Sequence, residues 1–130
     1  MSPKTRNIIG WILTGLLTIL FVGTAFTKLT AGPEMVKAAA NFGLSEHLFK
    51  LIGTVELISA VLFIIPRTGI LGTLLLAAYL GGAIATHLEH QQPVIFPILI
   101  QCAVWITATL RFPELSTRLM GQPALIKGSL

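Results

Sequence analysis

The chain has 130 residues, of which 54% are apolar and only 11% are charged. Soluble globular domains carry about 25% charged residues, so this composition excludes a soluble globular domain. The net charge is +4, but the basic residues form no continuous stripe, which excludes nucleic acid as a partner. Cys102 is the single cysteine, so neither an intramolecular disulfide nor a thiol relay is expected.

Four long apolar runs predict four membrane-spanning helices, at about residues 8–29, 48–65, 68–87 and 94–111. Each run is close to the ~20 residues that cross ~30 Å of hydrocarbon. Helices are favoured over a barrel because the runs lack the apolar–polar alternation of barrel strands. The sequence therefore predicts an all-α integral membrane protein, a four-helix bundle that forms one domain over residues 1–130.

The first run is interpreted as a membrane span rather than as a cleaved signal peptide. Its uncharged stretch over residues 8–27 is 20 residues long, whereas the apolar regions of signal peptides have about 7–15 residues. Between the first two spans, Pro33 suits the first turn of a helix. The sequence predicts a short interfacial helix there, at about residues 33–42, and a loose polar tail after Pro113.

The distribution of basic residues predicts the orientation in the membrane. With four spans, both termini and the second loop share one side. Six basic residues lie on that side: Lys4, Arg6, Arg67, Arg111, Arg118 and Lys127. Three lie on the opposite side: Lys28, Lys37 and Lys50. Basic residues concentrate on the cytoplasmic side of membrane proteins, so we expect both termini in the cytoplasm.

Each predicted span carries one polar residue into the outer half of the bundle: Lys28, Glu56, His87 and Gln101. Lys28 and His87 close their spans on the outer side. Glu56 and Gln101 lie six to seven residues inside theirs, roughly 9–10 Å deep at ~1.5 Å per residue. An ionised residue at the centre of a membrane helix costs about 2.5–3.5 kcal/mol. We therefore expect these groups to face the interior and to meet in one polar cluster.

The third span has the clearest pattern of small residues, which recur at i+4 spacing in two rows. The rows are Gly69, Thr73, Ala77, Gly81 and Ala85, and Ala78, Gly82 and Thr86. Small residues let neighbouring membrane helices approach closely, so two faces of this helix are predicted to be buried against protein. Tyr79 and His87 form a further row, which places the hydroxyl and the imidazole on one face.

Structural interpretations of the same residues stay open. Lys28 can extend to the membrane interface, Glu56 can form an ion pair with Lys28 or His87, and His87 can be an ordinary interfacial histidine. The histidines and carboxylates show no close spacing of the kind that metal ligands have. No metal site is predicted.

Several segments resemble the DoxX-like family of small bacterial membrane proteins: GTAFTKL (23–29), GTVELISAVLF (53–63), IPRTG (65–69) and YLGGAIATHL (79–88). The last is the most specific, and the resemblance covers about residues 8–112. It implies a four-helix membrane bundle in the bacterial cytoplasmic (inner) membrane. It also implies a link to thiosulfate:quinone oxidoreduction and to membrane oxidoreductase complexes. The residues that it carries over are Lys28, Glu56, Tyr79, Thr86 and His87.

Three functions are compatible with these features. The first is an accessory or scaffold subunit of a membrane redox system, whose partner is an oxidoreductase or a second copy of the chain. The second is a membrane protein that binds a quinone or another small molecule. In it, the positive charge of Lys28 would offset the negative charge of Glu56, while Tyr79 and His87 would donate or relay protons. The third is a small transporter that acts as an oligomer. An autonomous enzyme is the least favoured, and the lipid bilayer is the common partner of all three.

Overall fold

The computed structural model describes residues 1–121, so Lys127 lies outside the described residues. Within them the chain forms six helices and no strand, which confirms the all-helical prediction. The helices are α1 (Pro3–Leu29), α2 (Pro33–Ala40), α3 (Glu46–Ile64), α4 (Gly69–Glu89), α5 (Ile95–Arg111) and α6 (Pro113–Leu119).

The four long helices pack as a ring in the order α1, α3, α4, α5, since α1 and α4 each contact both α3 and α5. Their shared core contains Phe21, Phe63, Leu76 and Val104. The start of α1, the α3–α4 turn and α6 lie at one end of the ring, called here the α6 end. The α1–α3 connection with α2 and the α4–α5 loop lie at the opposite end, called the α2 end.

Side-chain caps and one glycine define the helix boundaries near the α2 end. The Ser45 hydroxyl accepts a hydrogen bond from the Leu48 amide at 3.2 Å and so begins α3. Gly43 has a φ of 70°, the left-handed conformation that glycine adopts at helix ends. The Leu44 amide then donates to the Ala39 carbonyl at 3.1 Å. This motif ends α2 and turns the chain towards α3.

The prediction of a loose tail after Pro113 is wrong for residues 113–119, which form α6. Pro113 occupies the first turn, where its missing N–H costs nothing. Glu114 follows it, and an acidic residue at this position is favoured by the helix dipole. The axis of α6 is bent by 115° from that of α5, so α6 runs across the end of the ring.

The long helices have the length and surface of membrane spans. α1, α3 and α4 are each long and apolar enough to cross a bilayer, and α5 qualifies only when it is joined to α6 across the bend. Large apolar side chains are exposed along all four, including Ile19, Ile58, Leu74 and Ile106. Apolar surface of this extent is rare on soluble monomers, which indicates that lipid surrounds the ring.

Two arginines satisfy backbone carbonyls at the α6 end. Buried Arg111 donates to the carbonyl oxygens of Phe63 at 2.6 Å and Ile64 at 3.2 Å. Arg6 donates from Nε to the Leu110 carbonyl at 3.2 Å and also to that of Thr109. The last carbonyls of a helix have no partner within the helix, so these contacts close the C-terminal ends of α3 and α5.

We expect Arg111→Leu to lower the free energy of unfolding by about 1–3 kcal/mol, because buried carbonyls lose their donor. Arg111→Lys should restore only part of this loss, since an ammonium group lacks the planar fork of a guanidinium. Thermal unfolding in detergent, followed by circular dichroism, measures both. The matched control is Arg67→Leu in the exposed α3–α4 turn, and an equal loss in that variant would contradict the interpretation.

The α3–α4 junction depends on a close backbone approach at Gly72. A Cβ atom there would overlap the backbone of Phe63. We expect Gly72→Ala to destabilise the protein by about 1–3 kcal/mol, the usual cost of overpacking. Gly81→Ala is the control in the same helix, because nothing lies within 4 Å of its added Cβ. That variant should be neutral or stabilised by up to about 1 kcal/mol. Equal melting temperatures for the two variants would refute the close approach.

Candidate functional site

A cavity of about 470 Å³ lies among the four long helices towards the α2 end. Its walls are mostly apolar and include Leu20, Phe21, Phe42, Phe49, Ile52, Leu80, Phe96 and Ile100. Six polar side chains also line it: Thr24, Lys28, Glu56, Tyr79, Thr86 and His87. An apolar cavity of this size with a few convergent polar groups is typical of a small-molecule site.

An ion pair forms the polar centre of the cavity. Lys28 Nζ lies 2.8 Å from Glu56 Oε2, and the Thr24 hydroxyl donates to Glu56 Oε1. The Glu56 side chain is 2% exposed and that of Lys28 is 17% exposed. Both carboxylate oxygens therefore have a donor, and the pair as a whole is neutral. Without these partners, a charge so deeply buried would be strongly disfavoured.

The ion pair forms because α1 and α3 approach closely at Gly53. A Cβ atom on Gly53 would lie 2.8 Å from Lys28 Cβ and 3.3 Å from the Ala25 carbonyl oxygen. Glu56 is one turn further along α3 and shares the face of Gly53. The missing side chain at position 53 thus allows the α1 backbone to bring Lys28 beside the carboxylate.

Tyr79 lies on the α4 wall, beside the ion pair. Lys28 Nζ is 5.9 Å from the centroid of its ring, within the range of a cation–π contact. Lys28 has three N–H donors, and among residues 1–121 its one hydrogen-bonding contact besides Glu56 is a long, 3.5 Å contact with the Thr24 carbonyl. The ammonium group and the tyrosine therefore form one polar patch.

The geometry of His87 indicates which ring nitrogen carries the proton. Nδ1 lies 2.6 Å from the Ala83 carbonyl oxygen, and a carbonyl can only accept, so Nδ1 is the donor. Nε2 of the neutral ring is then an acceptor. The ring also packs against Phe42, with 4.9 Å between centroids. Phe42 follows α2, so this contact covers the α2 end of the cavity.

Thr86 and Gln101 have different positions relative to the cavity. The Thr86 hydroxyl donates to the Gly82 carbonyl at 2.8 Å and lines the cavity. Gln101 does not line it: its Nε2 donates to the Ala77 carbonyl of α4 at 3.2 Å. The sequence gives the depth of Gln101 along its helix, but not the direction in which the side chain leaves the helix.

Sequence reasoning overlooked two parts of the site. Thr24 belongs to the segment GTAFTKL but is not among the predicted site residues, although its position one turn before Lys28 lets its hydroxyl reach the same carboxylate. Phe42 was assigned to the predicted interfacial helix, and nothing in its sequence context indicates a contact with His87. Such a contact depends on how the chain turns at Gly43.

The prediction that two faces of α4 are buried against protein is wrong for the second half of that helix. Gly69 and Thr73 are buried, but Gly81 and Ala85 in the same row are exposed. Ala78 and Gly82 in the other row line the cavity and are also exposed. The small residues therefore allow close packing near the α6 end, and leave space near the α2 end.

No group of three His, Cys, Asp or Glu side chains in residues 1–121 is arranged to hold a metal ion. The polar groups of the cavity are thus the Lys28–Glu56 ion pair, the hydroxyls of Thr24 and Tyr79, the Thr86 hydroxyl and the His87 imidazole.

Comparison with known proteins agrees with the sequence resemblance. The model of the DoxX-like family matches residues 12–109, which include all of the polar side chains that line the cavity. No curated protein and no solved structure gives a significant match. The family match covers well over half of the chain, and the helices are those expected of membrane spans. The chain belongs to the DoxX-like family and is a membrane protein.

Proposed function

We propose that the protein binds a small, neutral, lipophilic molecule in this cavity, with a quinone as the model ligand. The observation that carries the proposal is the neutral Lys28–Glu56 pair in an otherwise apolar cavity of about 470 Å³. A neutral pair does not favour an anionic or a cationic ligand by net charge. Its hydrogen-bonding capacity instead favours uncharged polar groups.

Three groups in the cavity have hydrogen-bonding capacity to offer a ligand. Lys28 has an N–H beyond those directed at Glu56 and Thr24, Tyr79 has its hydroxyl, and His87 has Nε2 as an acceptor. The oxygens of a quinone accept hydrogen bonds, and those of a quinol also donate them. The aromatic rings of Phe21, Phe42 and Phe96 offer flat apolar surface to the ring of such a ligand.

The membrane setting that we propose has α1, α3, α4 and α5 all crossing the bilayer as a four-helix bundle. α5 has 17 residues, or roughly 25 Å at ~1.5 Å per residue, a length that a bilayer accommodates by local thinning. α2 then lies at the interface. The excess of basic residues at the α6 end supports a cytoplasmic position for that end, in the inner membrane of a bacterium. The cavity then faces the extracytoplasmic side.

An accessory role in a membrane redox system is the second candidate. The exposed Gly81 and Ala85 on α4 support it, because small residues on a lipid-facing surface allow a helix of another subunit to approach. The partner would be an oxidoreductase or a second copy of the chain. Crosslinking in native membranes tests this candidate, and a chain that remains monomeric and free of partners there would count against it.

We expect lipid nanodiscs that contain the purified protein to bind more decylubiquinone than empty nanodiscs do. His87→Ala should weaken the affinity roughly 3- to 10-fold, since one neutral hydrogen bond contributes about 0.5–1.5 kcal/mol. His47→Ala is the control, because His47 is exposed at the start of α3 and does not line the cavity. A wild-type protein that does not bind, or equal losses in the two variants, would refute the proposed site.

The neutrality of the ion pair predicts a change in charge preference. Glu56→Gln leaves the Lys28 ammonium without its counter-charge. We expect this variant to prefer a hydroxyquinone in its anionic form over neutral decylubiquinone, whereas the wild type should have the opposite preference. Competition binding measures the ratio of the affinities for the two ligands, and this ratio should change at least tenfold between the wild type and the variant.

The control for this change is Glu46→Gln, which removes the exposed carboxylate that contacts Lys50 at 3.1 Å. The double variant Lys28→Met with Glu56→Gln is again neutral and should recover the wild-type order of preference. An unchanged ratio in a folded Glu56→Gln variant would show that the pair does not select ligands by charge.

A further inference from the structure

The cavity reaches the molecular surface on the side of α4. Ala78 and Gly82 both line the cavity and are both exposed. They are four residues apart and so stack on one face of the helix. Neither has a side chain larger than a methyl group, and a Cβ added to Gly82 would meet nothing within 4 Å. The wall of the cavity is therefore open along this row.

This opening is far from the end of the helix. α4 has 21 residues, or roughly 31 Å, which matches the ~30 Å thickness of a hydrocarbon core. Gly82 and Ala78 precede the last residue, Glu89, by 7 and 11 positions, which is roughly 10 and 16 Å. The opening thus lies at the depth of the acyl chains, with Ala78 near the middle of the bilayer.

The α2 end of the cavity is covered by contrast. Phe42 packs on the His87 ring with 4.9 Å between centroids, and Leu44 also lines this part of the cavity. Gly43 lies between them, and a Cβ on it would be 3.2 Å from His90 Nε2. The aqueous side of the cavity is therefore closed by apolar side chains and by tight packing against two histidines.

Phe96 of α5 marks another place where the lining reaches the surface, since it is 64% exposed. Its ring stands at the surface there, whereas the α4 row has no comparable side chain. The α4 row therefore has no large side chain in the path of a flat ring or a chain.

We propose that Ala78 and Gly82 form the edge of a lateral portal through which the ligand enters from the bilayer and through which its hydrocarbon tail extends. This inference rests on the proposed function. It restricts the ligand to molecules dissolved in the membrane, with a polar ring at Lys28 and Glu56 and a tail directed between the helices into lipid. A ligand that arrives from water does not use this path.

The test is the exchange rate of decylubiquinone in nanodiscs that hold one copy of the protein. Gly82→Leu places a branched side chain in the portal. We expect both the association and the dissociation rates to fall at least tenfold. A leucine that only crowded the binding site would instead weaken equilibrium binding and accelerate dissociation, so the direction of the dissociation rate separates the two effects.

Gly81→Leu is the matched control, because position 81 is adjacent, exposed and not part of the cavity wall. Its rates should equal those of the wild type. Wild-type exchange rates in Gly82→Leu, or equal slowing in both variants, would overturn the portal but not the binding site. A wild-type protein that does not bind decylubiquinone would overturn the site and the portal together.

Discussion

The burial of one ion pair in an apolar ring of helices is the interaction on which the site depends. Glu56 is the most deeply buried charged residue among the described residues, and its carboxylate is held by an ammonium group and a hydroxyl from α1. In a lipid setting, neither charge has water to return to, so each requires the other. The pair therefore reinforces the contact of α1 with α3 at Gly53 and also decides the electrostatic character of the cavity.

The two ends of the ring solve different physical problems. At the α6 end, the carbonyls that end α3 and α5 receive guanidinium donors, and Arg111 is packed further by the rings of Trp11, Phe63 and Phe112 at 4.5–5.0 Å. Gly72 of α4 brings the backbones of α3 and α4 together there. In the second half of α4, Ala78 and Gly82 have no facing partner and line the cavity. Similar residue types in one helix thus support tight packing in its first half and open space in its second half.

Sequence reasoning predicts the features of this molecule that depend only on position along a helix. Runs of apolar residues give the helices, and the positions of Lys28, Glu56 and His87 along them place all three in the outer half of the bundle. Rotation about each helix axis is a separate variable that apolar runs barely constrain. Gln101 points to α4 rather than into the cavity. The same limitation affects Ala78 and Gly82, whose spacing predicts a packing face without saying whether a neighbour is present.

The contacts that join the helices of the ring differ along the length of α4. α3 and α4 are joined by a short turn and pinned at Gly72, and α5 is held there by Arg111 and Arg6. Near Gly82, α4 has no comparable contact, since a Cβ there would meet nothing within 4 Å. The half of α4 beside the cavity is therefore the half in which side chains can change in size with the least disturbance of helix packing. The shape of the cavity is thus able to vary within this fold while the α3–α4 junction stays the same.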